Sequence, residues 1–390
     1  MILKKLHTPI IFIIGILLSS ILVELYFILI ERTSLWRILP AAEVSLYYPS
    51  ESSGYALRPN VKGVWLTENR SKITISNQGL RDHDTTYKTP EKTYRIALSG
   101  DSITEALQVE LDETFSVLIE KSLSTNEKKV EVINLGISGA VPVVQLKRIE
   151  SLGLRFEPDL LVFILNVFDF LSPIMTNDSS FPGYQKNTQG IWSIEYGFLE
   201  SRSYRFRVSW FGDAFYGLLD NFRIFRVLNA LRNRSDVLVD NALTVSDKST
   251  SCKTSRIDKL LSVLNNNRNH VVINDIFEAY LRDAEKLSKK AGSEVVFIFR
   301  GLIEECPNDV NKMSQVTQKI NMRLAHHGIS MINLDKLLLS HETIQGDRAE
   351  FDKIYGFGSK VGAGHLNTFG HKLVSEVISK ELYKWVREAR

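Results

Sequence analysis

The sequence predicts an α/β fold with a parallel five-stranded sheet covered by helices on both faces, preceded by one membrane-spanning helix. Short apolar runs alternate with amphipathic stretches from residue 94 onward. This alternation is typical of a parallel sheet, because each crossover between parallel strands needs a connection as long as a helix. A separate apolar run near the N-terminus has the length of a membrane span.

The N-terminal run covers residues 9–30 and is almost uninterrupted apolar sequence. Its length corresponds to about 30 Å of helix, the hydrocarbon thickness of a bilayer. Lys4 and Lys5 precede the run and no small-residue cleavage site follows it, which favours an uncleaved anchor over a removed signal peptide. We therefore expect a single-pass protein of the cell membrane that contacts the lipid bilayer through residues 9–30, with its C-terminal domain extracytoplasmic.

Three regions follow from the pattern: an anchor at 1–35, a polar approach segment with short strands at 36–92, and the α/β domain at 93–390. The predicted strands are 94–99, 130–135, 160–166, 294–300 and 329–334. The predicted helices are 113–124, 141–153, 275–291, 313–327 and 368–388.

The alternation is interrupted by an insertion at about 171–274. It contains a further amphipathic pattern, formed by Leu218, Leu219, Phe222, Phe225, Leu228 and Leu231. A segment this long beside a site is typically a lid, a binding element or an interface, and an inert excursion is the alternative. Residues 204–211 of the insertion form an aromatic and basic run. This run could contact lipid or stack on sugar; alternatively, its aromatic residues pack in the core while its arginines extend to water.

Composition excludes several function classes. Forty-eight basic and forty-five acidic residues give a net charge of +3, which is too balanced for a nucleic-acid partner. Cys252 and Cys306 are too few for a disulfide framework; they form one bridge or remain two thiols. No metal-ligand spacing and no phosphate-binding glycine loop occurs, so neither metal nor cofactor is expected.

Candidate catalytic residues follow the carboxyl ends of the predicted strands. Ser102 follows the first strand and Gly136 the second; Asn166 and Asp169 follow the third, and His365 follows the fifth. Because these strand ends share one edge of a parallel sheet, one crevice can collect all of them. Taken singly, the same residues also fit structural roles as helix caps, turn residues and a loop histidine.

Ser102 and His365 together have the chemistry of acyl transfer. A serine hydroxyl is a poor nucleophile until a base takes its proton, and histidine is the side chain most often used for this. The backbone N–H of Gly136 is a candidate donor to the oxyanion, because a residue without a side chain lets backbone approach a substrate closely.

Three segments resemble sequence blocks of the SGNH (GDSL-like) hydrolases: Gly100-Asp101-Ser102, Gly136, and His365-Leu366-Asn367. Residues 54–60 and 77–82 resemble the segments that precede the domain in a membrane-anchored bacterial subgroup associated with surface polysaccharide. The resemblance implies a flavodoxin-like three-layer α/β/α sandwich, for which we expect the strand order 2-1-3-4-5. It also implies Ser102 as nucleophile, His365 as base and Gly136 as an oxyanion donor. The implied activity is hydrolysis or transfer of O-acyl groups on an acylated small molecule or carbohydrate, here cell-surface carbohydrate.

Two positions depart from that family pattern. Phe168 stands where the family has its oxyanion asparagine, and Asn166 is the candidate replacement donor. Gly362 stands where the family has the Asp that orients the histidine, so Asp352, Asp169 or a backbone carbonyl is expected to take that role. Loss of the orienting acid costs triad enzymes about four orders of magnitude in turnover. The alternative function is therefore a degenerate domain that binds acylated carbohydrate or scaffolds a polysaccharide assembly without turnover.

Overall fold

The first element is one long apolar helix. The computed structural model describes residues 2–33, 35, 44–171, 180–228, 254–265, 271–302 and 310–388. Helix α1 (Ile2–Arg32) contains a stretch, Ile10–Arg32, of mean hydropathy 2.6 that is long enough to cross a membrane. Its large apolar side chains are exposed along most of this stretch rather than buried against the rest of the protein. The helix has the properties of a membrane span or of a signal sequence.

Two antiparallel hairpins follow. The first pairs β1 (Tyr47–Ser50) with β2 (Gly54–Leu57), and the second pairs β3 (Lys62–Trp65) with β4 (Ser71–Thr74). Apolar side chains of the hairpins and of the residues next to them join the hydrophobic core on one face of the central sheet; they include Leu46, Leu57, Ile73, Ile75 and Leu80. The hairpins are therefore packed against the α/β layers.

The central sheet is parallel and five-stranded. Its strands are β5 (Thr93–Ser99), β6 (Lys129–Asn134), β7 (Leu160–Asn166), β10 (Glu294–Arg300) and β11 (Ser330–Asn333), while β8 (Gly183–Lys186) and β9 (Trp192–Glu195) form a separate hairpin. The order across the sheet is β11-β10-β7-β5-β6, which is 2-1-3-4-5 in chain order of the five strands. This is the flavodoxin-like arrangement, and it confirms the predicted fold.

Helices cover both faces of the sheet and complete three layers. One face packs against α4 (Pro142–Ser151) and the helices Thr254–Leu264, Val271–Ala291 and Val310–His326. The other packs against α3 (Phe115–Leu123) and the helices Leu334–Leu339 and Thr368–Glu388, with Arg348–Asp352 at its margin. The strands of a sheet buried on both faces are expected to be continuously apolar, as β7 is.

The insertion contributes helices as well as the β8–β9 hairpin. Helices α5 (Arg202–Val208) and α6 (Trp210–Asn221) are followed by helical residues 223–228. The predicted amphipathic pattern thus begins earlier than expected and is interrupted at Phe222. Leu231 and both cysteines lie outside the described residues.

Candidate active site

The candidate nucleophile lies on a tight turn between β5 and a short helix, α2 (Ser102–Glu105). Asp101 caps this helix by accepting a hydrogen bond from the Ile103 N–H at 3.0 Å. The other carboxylate oxygen of Asp101 forms a largely buried ion pair with Arg300, at the end of β10. This pair joins the turn to the neighbouring part of the sheet edge and holds the serine in place.

Ser102, His365 and Glu68 form one continuous chain of hydrogen bonds. The Ser102 Oγ lies 2.8 Å from His365 Nε2, and His365 Nδ1 lies 2.8 Å from Glu68 Oε1. The second oxygen of Glu68 accepts the backbone N–H of His365 at 3.0 Å. A hydroxyl, an imidazole and a carboxylate in this order have the geometry of a catalytic triad.

Glu68 comes from the turn between β3 and β4, far from the histidine in sequence. The turn is fixed on both sides of the carboxylate. Asn69 Nδ2 donates to the Gln108 carbonyl at 2.9 Å, and Arg70 Nε donates to the Glu31 carbonyl of α1 at 3.0 Å. Burial alone would raise the pKa of Glu68, but hydrogen bonds from the ring and backbone of His365 lower it below its usual value. The carboxylate is therefore held in its charged form, which is the form that stabilises an imidazolium.

Gly364 makes room for the carboxylate. Its φ is +91°, in the left-handed region, and a Cβ at this position would lie 2.7 Å from Glu68 Oε2. A side chain there would strain the backbone and displace the acid.

The loop before the final helix positions His365. The His365 carbonyl accepts the Gly356 N–H at 2.8 Å, and Asn367 Nδ2 donates to the Lys353 carbonyl at 2.8 Å. Asp352, one expected orienting acid, instead forms an ion pair with Arg348 at 2.8 Å. Both ring nitrogens of His365 are engaged by Ser102 and Glu68, so the structure gives the orienting place to Glu68 rather than to Asp352 or Asp169.

The two expected oxyanion donors are hydrogen-bonded within the protein. The Gly136 N–H donates to Asn134 Oδ1 at 2.9 Å, and Asn166 Oδ1 accepts the Phe168 N–H at 3.0 Å. Gly136 also packs closely on α2, since a Cβ there would lie 2.5 Å from the Glu105 nitrogen. The Gly136 N–H is therefore already engaged, whereas the Asn166 bond uses the amide oxygen and not the amide N–H that would donate to an oxyanion; Phe168 is buried in the core.

Asp169 is an electrostatic neighbour of the Asp101–Arg300 pair. Burial and the negative charge of Asp101 raise the pKa of Asp169 to about 7, against the opposing charges of Arg300 and Arg256. The site edge therefore holds a carboxyl group that changes its charge near neutral pH.

A buried carboxylate behind the site connects the first hairpin to the nucleophile turn. Glu105 accepts hydrogen bonds from the Tyr47 hydroxyl, at 3.0 and 3.1 Å, and from the Ser138 N–H at 2.8 Å. The Tyr55 hydroxyl donates to the Ser138 carbonyl at 2.8 Å. These bonds fix the loop after β6 against α2, so the first hairpin helps to shape the site edge.

Sequence reasoning missed Glu68 and Arg300. No local spacing rule reaches Glu68, which stands 297 residues before the histidine. The residues around it carried a weak signal: the turn residues of Thr67-Glu68-Asn69 lie between two short strand-like runs in a segment otherwise classed as polar approach. Arg300 is the last residue of the apolar strand predicted at 294–300, and a charged residue at the carboxyl end of such a strand is a usable signal for a site.

Comparisons with known proteins give weak similarities only. No protein-family model matches the chain, and no curated protein matches it. Among solved structures, the lipase/acylhydrolase of Enterococcus faecalis is 13% identical over 75% of this chain and 96% of its own, with a TM-score of 0.37. The acetylxylan esterase of Geobacillus stearothermophilus is 12% identical over 76% and 97%, with a TM-score of 0.38. An acetyl xylan esterase, AlAXEase, is 14% identical over 74% and 99%, also with a TM-score of 0.38. These structural neighbours are esterases and acylhydrolases, but similarities this slight assign neither a family nor an activity to this chain.

Proposed function

We propose that this protein hydrolyses or transfers O-acyl groups through a Ser102–His365–Glu68 triad. The hydrogen-bond chain that joins these three side chains carries the proposal. Each group stands in the order that acyl transfer requires: a nucleophile, a base within reach of its proton, and an acid that fixes the base.

In the proposed reaction Ser102 Oγ attacks the carbonyl carbon of the ester while His365 Nε2 takes the hydroxyl proton. Glu68 holds the ring by its Nδ1–H and stabilises the imidazolium that forms. The tetrahedral intermediate then expels the alcohol, which receives the proton from Nε2, and leaves an acyl group on Ser102. Water attacks this acyl group in hydrolysis, and a second alcohol attacks it in transfer, with the same histidine as base.

The oxyanion needs donors that lie beside the attacked carbonyl. The N–H groups of Ile103, Thr104 and Glu105 all bond to Asp101, by its side chain or its carbonyl. The Ser102 N–H lies next to the nucleophilic oxygen and is our first candidate donor. Gly136 is the second candidate, provided that substrate binding replaces its bond to Asn134. The amide of Asn166 is the third.

We further propose an acylated cell-surface carbohydrate as substrate and α1 as a retained anchor, with the C-terminal domain extracytoplasmic. The contacts of α1 support its retention. The Glu31 carbonyl accepts Arg70 Nε from the hairpin that carries Glu68, and the Glu31 side chain pairs with Arg223 at 3.0 Å. Cleavage of α1 as a signal peptide would remove both contacts. A reporter enzyme fused after residue 390 is expected to be active only outside the cytoplasm, and cytoplasmic activity would contradict the orientation.

The internal hydrogen bond of the Gly136 N–H favours a second candidate, a domain that binds acylated carbohydrate without turnover. Hydrolysis of nitrophenyl acetate and labelling by a fluorophosphonate separate the two. An active triad is expected to give both reactions in the full-length protein, and Ser102→Ala and His365→Ala should each lower the rate by a similar large factor, because the two groups act as one unit. No labelling and no ester cleavage by the wild-type chain would favour the binding function.

A further inference from the structure

The insertion carries an exposed aromatic surface that the proposed chemistry does not use. Trp210 and Phe211 are 72% and 62% exposed, and Phe215, Leu218, Phe222 and Phe225 are also exposed. Monomeric proteins rarely leave a contiguous apolar surface of this kind in water. We refer to these six side chains as the aromatic stripe.

Four of the six side chains of the stripe lie on one side of the amphipathic helix α6 (Trp210–Asn221), and Phe222 and Phe225 follow it. At about 100° per residue, Trp210, Phe211, Phe215 and Leu218 fall within one sector of about 140°. Asp213 falls outside that sector, and Ser209 caps the helix by accepting the Gly212 N–H at 3.2 Å. An amphipathic helix with aromatic residues on its apolar side is typical of segments that lie in a membrane interface.

Three hydrogen bonds and one small apolar cluster fix the position of residues 223–227 along α1. The Arg223 N–H and Nη1 donate to the two oxygens of Glu24, at 2.7 and 3.1 Å, and Nε donates to Glu31 Oε1 at 3.0 Å. Val227 packs with Phe27 and Ile30 in a small buried cluster. These four α1 residues lie between positions 24 and 31, so residues 223–227 are held beside the C-terminal third of the apolar stretch Ile10–Arg32.

An apolar groove of about 890 Å³ lies between α1 and residues 218–225. Phe12 and Ile16 of α1 line one side, and Leu218, Phe222 and Phe225 line the other. Half of the stripe, namely Leu218, Phe222 and Phe225, therefore lines one groove together with apolar side chains of α1. Arg202 and Arg207, on the preceding helix, are exposed and can extend to anionic head groups.

We propose that residues 210–228 form a second membrane-contacting element, which inserts the aromatic stripe into the same bilayer as α1 and fills the groove with phospholipid acyl chains. The continuity with α1 selects lipid as the occupant, since any environment that covers α1 also reaches Leu218 and Phe222. The inference is independent of catalysis by Ser102.

The test places a photoreactive benzoylphenylalanine at one position at a time in the full-length protein, reconstituted in vesicles of zwitterionic and anionic phospholipid. Leu17, exposed on α1, is the positive position; Phe211 is the test position; Tyr383, exposed on the final helix, is the negative position. Phospholipid adducts are expected at 17 and 211 and not at 383. An adduct at 17 without one at 211, no adduct at either, or a protein–protein adduct at 211 would overturn the proposal.

A second measurement avoids the unnatural residue. Brominated phospholipids quench tryptophan emission on contact, so the wild-type chain is compared with Trp210→Phe in the same vesicles. We expect the substitution to remove a quenched component. Equal quenching in both chains would show that Trp210 does not contact lipid and would overturn the proposal.

Discussion

The Glu68→Gln substitution removes the negative charge next to His365 and keeps the size of the side chain. In the structure the carboxylate lies 2.8 Å from the ring nitrogen that faces away from Ser102. In the proposed reaction, attack by Ser102 on an ester makes His365 a cation beside that carboxylate. Two unit charges about 4 Å apart attract by about 4 kcal/mol at an effective dielectric constant of about 20. At about 1.36 kcal/mol per tenfold change, kcat/KM is expected to fall about a thousandfold.

The assay measures two rates in the full-length protein: hydrolysis of nitrophenyl acetate and labelling of Ser102 by a fluorophosphonate. The labelling rate reports activation of the serine without requiring the natural substrate. Asp352→Asn is the matched control, because it removes a carboxylate charge that the structure places on Arg348. Thermal unfolding of both variants shows whether they remain folded. Two results would refute the assignment of Glu68 as the orienting acid. One is a Glu68→Gln rate of about a third of the wild-type rate or more; the other is a loss of rate in Asp352→Asn as large as that in Glu68→Gln.

The remaining predictions concern the surroundings of the triad. The pKa of Asp169 is raised to about 7 in the folded protein, whereas in the unfolded chain it is near 4. Between these two values the folded protein keeps a proton that the unfolded chain has released. The contribution of Asp169 to the free energy of unfolding therefore falls progressively as the pH rises from about 4 to about 7. Asp169→Asn is therefore expected to raise the free energy of unfolding by up to about 4 kcal/mol at about pH 8 and to leave it unchanged at about pH 4; equal effects at both would exclude the raised pKa. Gly364→Ala is expected to cost about 1–2 kcal/mol of backbone strain, measured by thermal unfolding, and to reduce ester turnover by displacing Glu68. Full turnover in that variant would show that the acid tolerates the added methyl group. Arg300→Met removes one partner of a largely buried ion pair and is expected to destabilise the protein by about 3–5 kcal/mol in denaturant unfolding. An unchanged stability would show that Asp101 does not depend on the arginine.

The layers of the fold were predictable because they depend on local patterns. Each of the five predicted strands lies within one residue of the observed strand at both ends, and the strand order is as predicted. Apolar runs buried on both faces and amphipathic helices between them leave few arrangements of a parallel sheet. The same rule placed Ser102 and His365 at one edge, where the structure brings their side chains within hydrogen-bond distance.

The acid was not predictable because its position depends on tertiary packing. Sequence patterns single out carboxylates close to His365 in the chain or at strand ends, whereas Glu68 lies on a hairpin outside the central sheet. The hydrogen bonds of Asn69 and Arg70 bring that hairpin to the histidine, and no local pattern encodes them. Gly136 and Asn166 are predicted as oxyanion donors because each follows a strand. A place after a strand does not determine which hydrogen-bond partner a backbone N–H or a side-chain amide has in the folded protein. The boundaries at 35 and 92 remain predictions.

The hydrogen bond from Arg70 to the last turn of α1 limits how far the catalytic residues can move from that helix. Glu68 and Arg70 stand two residues apart, about 7 Å along an extended chain, so the acid and the end of α1 share a short and rigid connection. If α1 stays in a bilayer as proposed, this connection would hold Ser102 at a fixed height above the head groups instead of on a flexible tether. The proposed activity would then reach only esters delivered to that height, such as those on a chain still attached to the membrane or emerging from it. The length of the connection would thus select among substrates by their distance from the membrane, in addition to any selection by the shape of the crevice.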